Sequence, residues 1–200
     1  MKDAYILDVW ETLADTPEWQ VMLEKDPELR ALSEKAKTDV PSKRELVRKF
    51  DEAVQGGKLT IVQVPGARSV LERLASKGHL VAFSSGSNYT NQALLEGAKL
   101  KGYFNPLLIT SDADTLQVSK GESVAYVRLA DALKGLGLSP ELFVDNTQRN
   151  VVAATNSGGR IPSLYHFDRT ASGLLVPEQK PGYVRIGKLE QIEQLRELRR

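Results

Sequence analysis

Four polar residues stand where chemistry could be done: Asp8, Ser84, Lys120 and Asp145. Asp8 ends the apolar run Ala4-Tyr5-Ile6-Leu7, Ser84 ends Leu80-Val81-Ala82-Phe83, and Asp145 ends Leu142-Phe143-Val144. Lys120 precedes a run over 121–134 with helical spacing. An aspartate on a strand tip can act as a nucleophile through a covalent aspartyl intermediate. On a phosphate ester, a hydroxyl such as Ser84 can hydrogen-bond a phosphoryl oxygen. A lysine can neutralise charge without blocking in-line attack, and a second acid can help hold Mg²⁺. Each residue alone says little. The informative feature is their order: strand-Asp, strand-Ser, Lys before a helix, strand-Asp.

The elements that must position them alternate between strand and helix from residue 65 onward. Strands are expected at 80–83, 107–109, 142–144 and 161–167, besides 4–8. Helices are expected between them, with a last one over 188–198 carrying Leu189, Ile192, Leu195 and Leu198 on one stripe. This alternation predicts a parallel sheet with helices on both faces, and such sheets bind ligands beyond the C-terminal strand ends. Asp8, Ser84 and Asp145 would therefore converge on one edge. Residues 14–60 differ, with ten acids and nine bases among them. Thr16-Pro17 and Asp26-Pro27 read as helix starts, and Ser42-Lys43-Arg44-Glu45 reads as a capping box. Gly56-Gly57 stops the run, so a small helical insertion is expected.

Composition narrows the function classes. The 200 residues carry 27 basic and 26 acidic side chains, a net charge of +1. That balance argues against a nucleic-acid or membrane-surface partner. No apolar run reaches membrane-spanning length, and the start Met1-Lys2-Asp3-Ala4 lacks a signal-peptide core, so a cytoplasmic location is expected. There is no cysteine, and His79 and His166 are the only histidines. Disulfides, thiolate metal sites and histidine-based metal sites are thereby excluded. His79 is expected at the surface, and His166 in the core or at a sheet edge. Neither GxGxxG nor the P-loop pattern occurs.

The motifs resemble those of the haloacid dehalogenase-like hydrolase superfamily over essentially the whole chain. Asp8-Val9-Trp10-Glu11-Thr12-Leu13 corresponds to the first motif, and Ala82-Phe83-Ser84-Ser85-Gly86-Ser87 to the second. Ser119-Lys120-Gly121-Glu122-Ser123 corresponds to the third, and Leu142-Phe143-Val144-Asp145-Asn146-Thr147 to the fourth. The Ser-Ser-Gly-Ser and Lys-x-Glu-Ser phrases are most similar to enolase-phosphatases of methionine salvage. The resemblance implies an α/β fold with a three-layer, parallel-sheet Rossmann-like core from residues 1–13 and 61–200. A small helical C1 cap at 14–60 would complete it. It further implies a Mg²⁺-dependent phosphatase of a small phosphorylated metabolite, acting through an aspartyl-phosphate. Asp8 would be the nucleophile, with Ser84 and Lys120 holding the phosphoryl group. Asp8, Asp145 and the backbone carbonyl of Trp10 would hold Mg²⁺, while Trp10, Glu11, Ser85 and Gly86 would border the substrate. A cap this short leaves the site open unless a homodimer covers it.

Three departures stand beside that likeness. Trp10 occupies the place of the family's usual second acid and cannot transfer a proton. Glu11 replaces the usual glycine and offers a substitute carboxyl. Arg149 and Asn150 fill the positions where the fourth motif often has another acid. An aromatic at position 10 resembles the 2-haloacid dehalogenases, which have tyrosine there and use no metal, although they tend to have serine where this chain has Asp145. Metal-free dehalogenation and a non-catalytic binding role are the two alternatives.

Overall fold

The computed structural model describes residues 1–36, 38–85 and 87–192. A seven-stranded sheet runs through it in the order β5-β4-β1-β6-β7-β9-β8. Its centre is β1 (Lys2–Leu7), flanked by β4 (His79–Ser84) and β6 (Leu138–Asp145). Outside these lie β5 (Ile109–Ser111) and β7 (Ser163–Phe167), then β9 (Tyr183–Ile186) and β8 (Glu178–Lys180). Every pairing is parallel except β8 with β9, which forms an antiparallel edge.

Side chains alternate across a strand, so β1 feeds two cores. Tyr5 and Leu7 pack on one face with α4 (Ala67–Ala75) and α5 (Asn88–Gly97). Ala4 and Ile6 pack on the other with α6 (Ser123–Gly135) and α7 (Gln148–Thr155). Being covered on both faces, the central strands read as unbroken apolar runs. The result is the expected three-layer α/β architecture.

Three helices, α1 (Pro17–Lys25), α2 (Pro27–Ala36) and α3 (Val40–Gln55), stand over the C-terminal edge of the sheet. A short antiparallel pair, Ala14–Asp15 (β2) with Val62–Gln63 (β3), joins them to the rest. Trp19, Leu29, Phe50 and Ala53 carry one apolar core continuously from these helices into the sheet layer.

Local expectations needed correction in three places. Asp39, not Ser42, caps α3, its side chain accepting from Ser42 N. Leu107 and Leu108 lie in a 3₁₀ turn, because Pro106 starts it and the Asn105 side chain accepts from Leu107 N; β5 begins only at Ile109. Thr16 makes no side-chain cap, its hydroxyl accepting instead from Trp10 Nε1 at 3.0 Å. Leu195, Leu198 and Gly86 lie outside the described residues.

Candidate active site

The sheet order places three functional tips side by side. Asp8 follows the end of β1 and continues its ladder, donating from its backbone N to Val144 O at 2.9 Å. Ser84 ends β4 and Asp145 ends β6, one strand to either side. Neighbouring strands lie about 4.8 Å apart, so the three side chains share one patch.

Lys120 reaches that patch from the loop before α6, and it is completely buried. Its Nζ lies 2.6 Å from Asp8 Oδ1, 2.6 Å from Asp145 Oδ2 and 2.9 Å from Phe83 O. Those partners match the three donors of an ammonium group. The rings of Phe83 and Phe143 flank it, at 5.1 and 5.6 Å. Its backbone N donates to Asp112 Oδ2 at 2.8 Å, which fixes the loop. A buried lysine is tolerable only when paired in this way.

The carboxylates are held by further donors. Thr12 Oγ1 donates to Asp8 Oδ2 at 3.0 Å. Asp145 Oδ1 accepts from Thr147 N at 2.7 Å, and Asn150 Nδ2 lies 3.2 and 3.1 Å from the two Asp145 oxygens. Burial pushes Asp8 up to about 7, with Lys120 pulling it down and Asp145 pushing it further up. Burial by itself would lower Lys120, but Asp145 and Asp8 outweigh it and hold the ammonium up at about 12. Lys120 thus stays charged throughout the physiological range.

Above Asp8 lies a cavity of about 210 Å³. Its floor is polar and comes from the sheet edge: Asp8, Ser84, Ser85, Asn91, Asn146 and Asn150. Its roof comes from the three-helix unit and is apolar: Trp19, Leu46, Val47 and Phe50, with Lys43 at the side. Trp10 bridges the two, its ring 4.9 Å from that of Phe50. Glu11 also borders the cavity. It adopts a left-handed backbone (φ 59°), which the glycine expected at this place would take without strain. Its carboxylate accepts from Gln20 Nε2 at 3.0 Å and Asn146 Nδ2 at 2.8 Å.

Of the residues singled out in the sequence, Asp8, Ser84, Lys120 and Asp145 meet in one place, and Trp10, Glu11 and Ser85 line the cavity. Gly86 is not described. Arg149 lies against Gly121. His166 is buried in β7, and its Nε2 donates to Asn146 O at 3.1 Å. His79 is half-buried rather than fully at the surface. Sequence reasoning overlooked three residues. Thr12 holds Asp8, and its signal was a hydroxyl four positions after that aspartate. Asp112 holds Lys120, and it follows a strand tip just as Asp8 does. Asn91 is fully buried, accepts from Ser84 Oγ at 2.5 Å and donates to Thr110 O at 3.2 Å; no sequence signal distinguishes it from a surface asparagine.

Among the described residues no group of three His, Cys, Asp or Glu side chains could hold a metal. The available donors are the Asp8 and Asp145 carboxylates and the Trp10 carbonyl on the same loop. That set suits a hard cation that keeps several waters and shares its shell with substrate, as Mg²⁺ does, and not an all-protein cage.

Solved structures with this fold are known. An L-2-haloacid dehalogenase from Xanthobacter autotrophicus superposes with a TM-score of 0.64 at 16% identity, over 98% of this chain and 99% of its own. A HAD-superfamily hydrolase of subfamily IA from Geobacter sulfurreducens PCA gives 0.58 at 17% identity, over 97% and 96%. A candidate beta-phosphoglucomutase from Thermotoga maritima gives 0.60 at 18%, over 98% and 99%. No family model and no curated protein matches the sequence. The chain has the haloacid dehalogenase-like fold. No described helix is long and apolar enough to cross a membrane.

Proposed function

We propose that the protein is a Mg²⁺-assisted hydrolase of a small phosphate monoester, working through a covalent intermediate on Asp8. The observation that carries this reading is the buried ammonium of Lys120, 2.6 Å from Asp145 and 2.6 Å from Asp8, the carboxylate that borders the cavity. Asp8 attacks phosphorus, the phosphorus–alkoxide bond breaks, and water then displaces Asp8 from the phosphoryl group. Thr12 and Lys120 fix the attacking carboxylate. The Ser84 hydroxyl borders the cavity and would turn its proton from Asn91 Oδ1 to a phosphoryl oxygen. The three charged groups sum to −1, which repels an anionic ester. Mg²⁺ held by Asp8, Asp145 and the Trp10 carbonyl would supply the missing positive charge. Trp10 has no proton to give, and general acid assistance is worth about 10²–10⁴ in rate, so esters with acidic leaving groups should turn over fastest.

A second reading, hydrolytic dehalogenation, is favoured by Trp10 and the apolar roof, because halide departs without a proton. Phosphate release from p-nitrophenyl phosphate with and without Mg²⁺ separates the two, beside chloride release from 2-chloropropanoate. Mg²⁺-dependent phosphate release that Asp8→Asn abolishes supports the first reading. Chloride release without phosphate release replaces it with the second.

A further inference from the structure

We infer that the substrate is a compact monophosphate whose leaving group is apolar, not a sugar or nucleotide, and that Lys43 sets its length; this rests on the hydrolase reading. The cavity is two-faced. Polar groups are concentrated on the sheet-edge floor, where the phosphoryl group would meet Asp8, with Lys120 buried behind it, and Ser84. The roof over the leaving group offers Trp19, Leu46, Val47 and Phe50, none of which pairs with a sugar hydroxyl. Glu11, Lys43 and Thr90 also line the cavity, but Gln20 and Asn146 hold the first, Asp112 and Ser119 the second, and Asp51 and Ser87 the third. A polyol under the roof would therefore lose hydrogen bonds to water with little replacement. Size points the same way. A dry cavity of about 150 Å³ holds a benzene molecule, so about 210 Å³ leaves room for a phosphoryl group and a substituent no larger than one ring.

The space does not end there by accident. A second, larger groove of about 880 Å³ runs alongside, and Lys43, Val47 and Ser85 line both. Lys43 spans from α3 to the sheet side, its Nζ 3.5 Å from buried Asp112 and 3.3 Å from Ser119 Oγ. It stands as a strut in the partition. Asp112 also fixes the Lys120 backbone, so the strut leans on the same anchor as the catalytic floor.

The test uses esters of primary alcohols, so that leaving-group acidity is nearly constant. In the series ethyl, propyl, butyl phosphate, kcat/KM should rise up to about fourfold per methylene, from about 0.8 kcal/mol for each one buried. Benzyl phosphate should exceed glucose 6-phosphate and glycerol 3-phosphate by more than tenfold. Phe50→Ser should flatten this preference. Lys43→Ala should raise kcat/KM for octyl phosphate relative to butyl phosphate by about tenfold. Equal or better turnover of the sugar esters, or an unchanged octyl-to-butyl ratio in Lys43→Ala, overturns the inference while leaving the hydrolase reading intact. If no ester is hydrolysed, the hydrolase reading falls. The inference is then judged by calorimetric binding of benzyl phosphate and glucose 6-phosphate to the Asp8→Asn variant: tighter benzyl phosphate supports it, and equal or reversed affinities overturn it.

Discussion

The molecule contains the same charge arrangement twice, in opposite surroundings. At the sheet centre, Lys120 stands between Asp8 and Asp145. At the antiparallel edge, Arg185 stands between Asp168 and Glu178, donating to Asp168 Oδ2 at 2.7 Å and to Glu178 Oε2 at 3.1 Å. Each trio is two acids and one base, and at the edge Lys180 also pairs with Glu178. The Lys120 side chain is 1% exposed and the Arg185 side chain 33%. Burial pushes Asp8 up to about 7. Hydrogen bonds, first from Thr170 and then from Arg185, pull Asp168 down to about 2. Similar trios therefore show opposite proton affinity, because desolvation leads at Asp8 and hydrogen bonds lead at Asp168. The centre holds a carboxylate at the cost of stability, as the proposed nucleophile would require, whereas the edge gains from its ion pairs.

The largest expected effect comes from breaking the central trio. Lys120→Met leaves two buried carboxylates without their cation and should cost about 3–5 kcal/mol in urea unfolding, with phosphate release lost. Loss of activity with unchanged stability would mean that the trio is solvated and the contrast false.

The pH dependence of stability should show opposite slopes. In EDTA, Asp8 binds its proton more tightly folded, near pH 7, than unfolded, near pH 4. Its contribution is then fully present below about pH 4 and declines as pH rises to 7, by at most about 1.4 kcal/mol per pH unit. Asp168 binds its proton less tightly folded, so its contribution is present above about pH 4 and lost as pH falls towards 2. Asp8→Asn should remove the first slope and Asp168→Asn the second, in thermal unfolding followed across pH. One slope surviving its own substitution would show that another group carries it.

Thr12→Val keeps the shape but removes a hydrogen bond to Asp8, a cost of about 1–2 kcal/mol. The acid limb of the activity profile should also move to higher pH, because this bond helps hold Asp8 ionised. A profile that stays in place would make Thr12 a packing residue only. The smallest effect belongs to the edge: Arg185→Met should shift the unfolding midpoint far less than Lys120→Met does, and added salt should weaken even that.

The sequence disclosed the centre far better than the edge. Asp8, Ser84 and Asp145 end apolar runs, and adjacent parallel strands necessarily bring such tips together. Lys120 was legible through its motif, but its burial was not, because nothing local shows that Phe83 and Phe143 enclose it. The edge was invisible for a physical reason. Glu178–Lys180 and Tyr183–Ile186 are short, mixed in polarity and joined through Pro181-Gly182, so no alternation of useful length exists. The pairing of Ala14–Asp15 with Val62–Gln63 escaped likewise, since two residues carry no periodicity. The placement of Glu11 between Gln20 and Asn146 depends on a left-handed backbone that the residue type does not announce.

That short two-stranded connection constrains how α1–α3 could move over the cavity. Both chain passages between the sheet layer and α1–α3 are bonded to each other, Ala14 opposite Gln63 and Asp15 opposite Val62. Val64 N adds a bond to Leu13 O at 3.0 Å, and Arg169 braces Asp15 at 2.7 Å. Two linked passages resist torsion where single ones would swivel freely, so any opening of the roof is confined to one axis. In the proposed hydrolase, admission of substrate and escape of product would then share a single collective motion, of the microsecond-to-millisecond kind. The frequency of that motion would set a ceiling on the proposed hydrolase's turnover, however fast the chemistry beneath it.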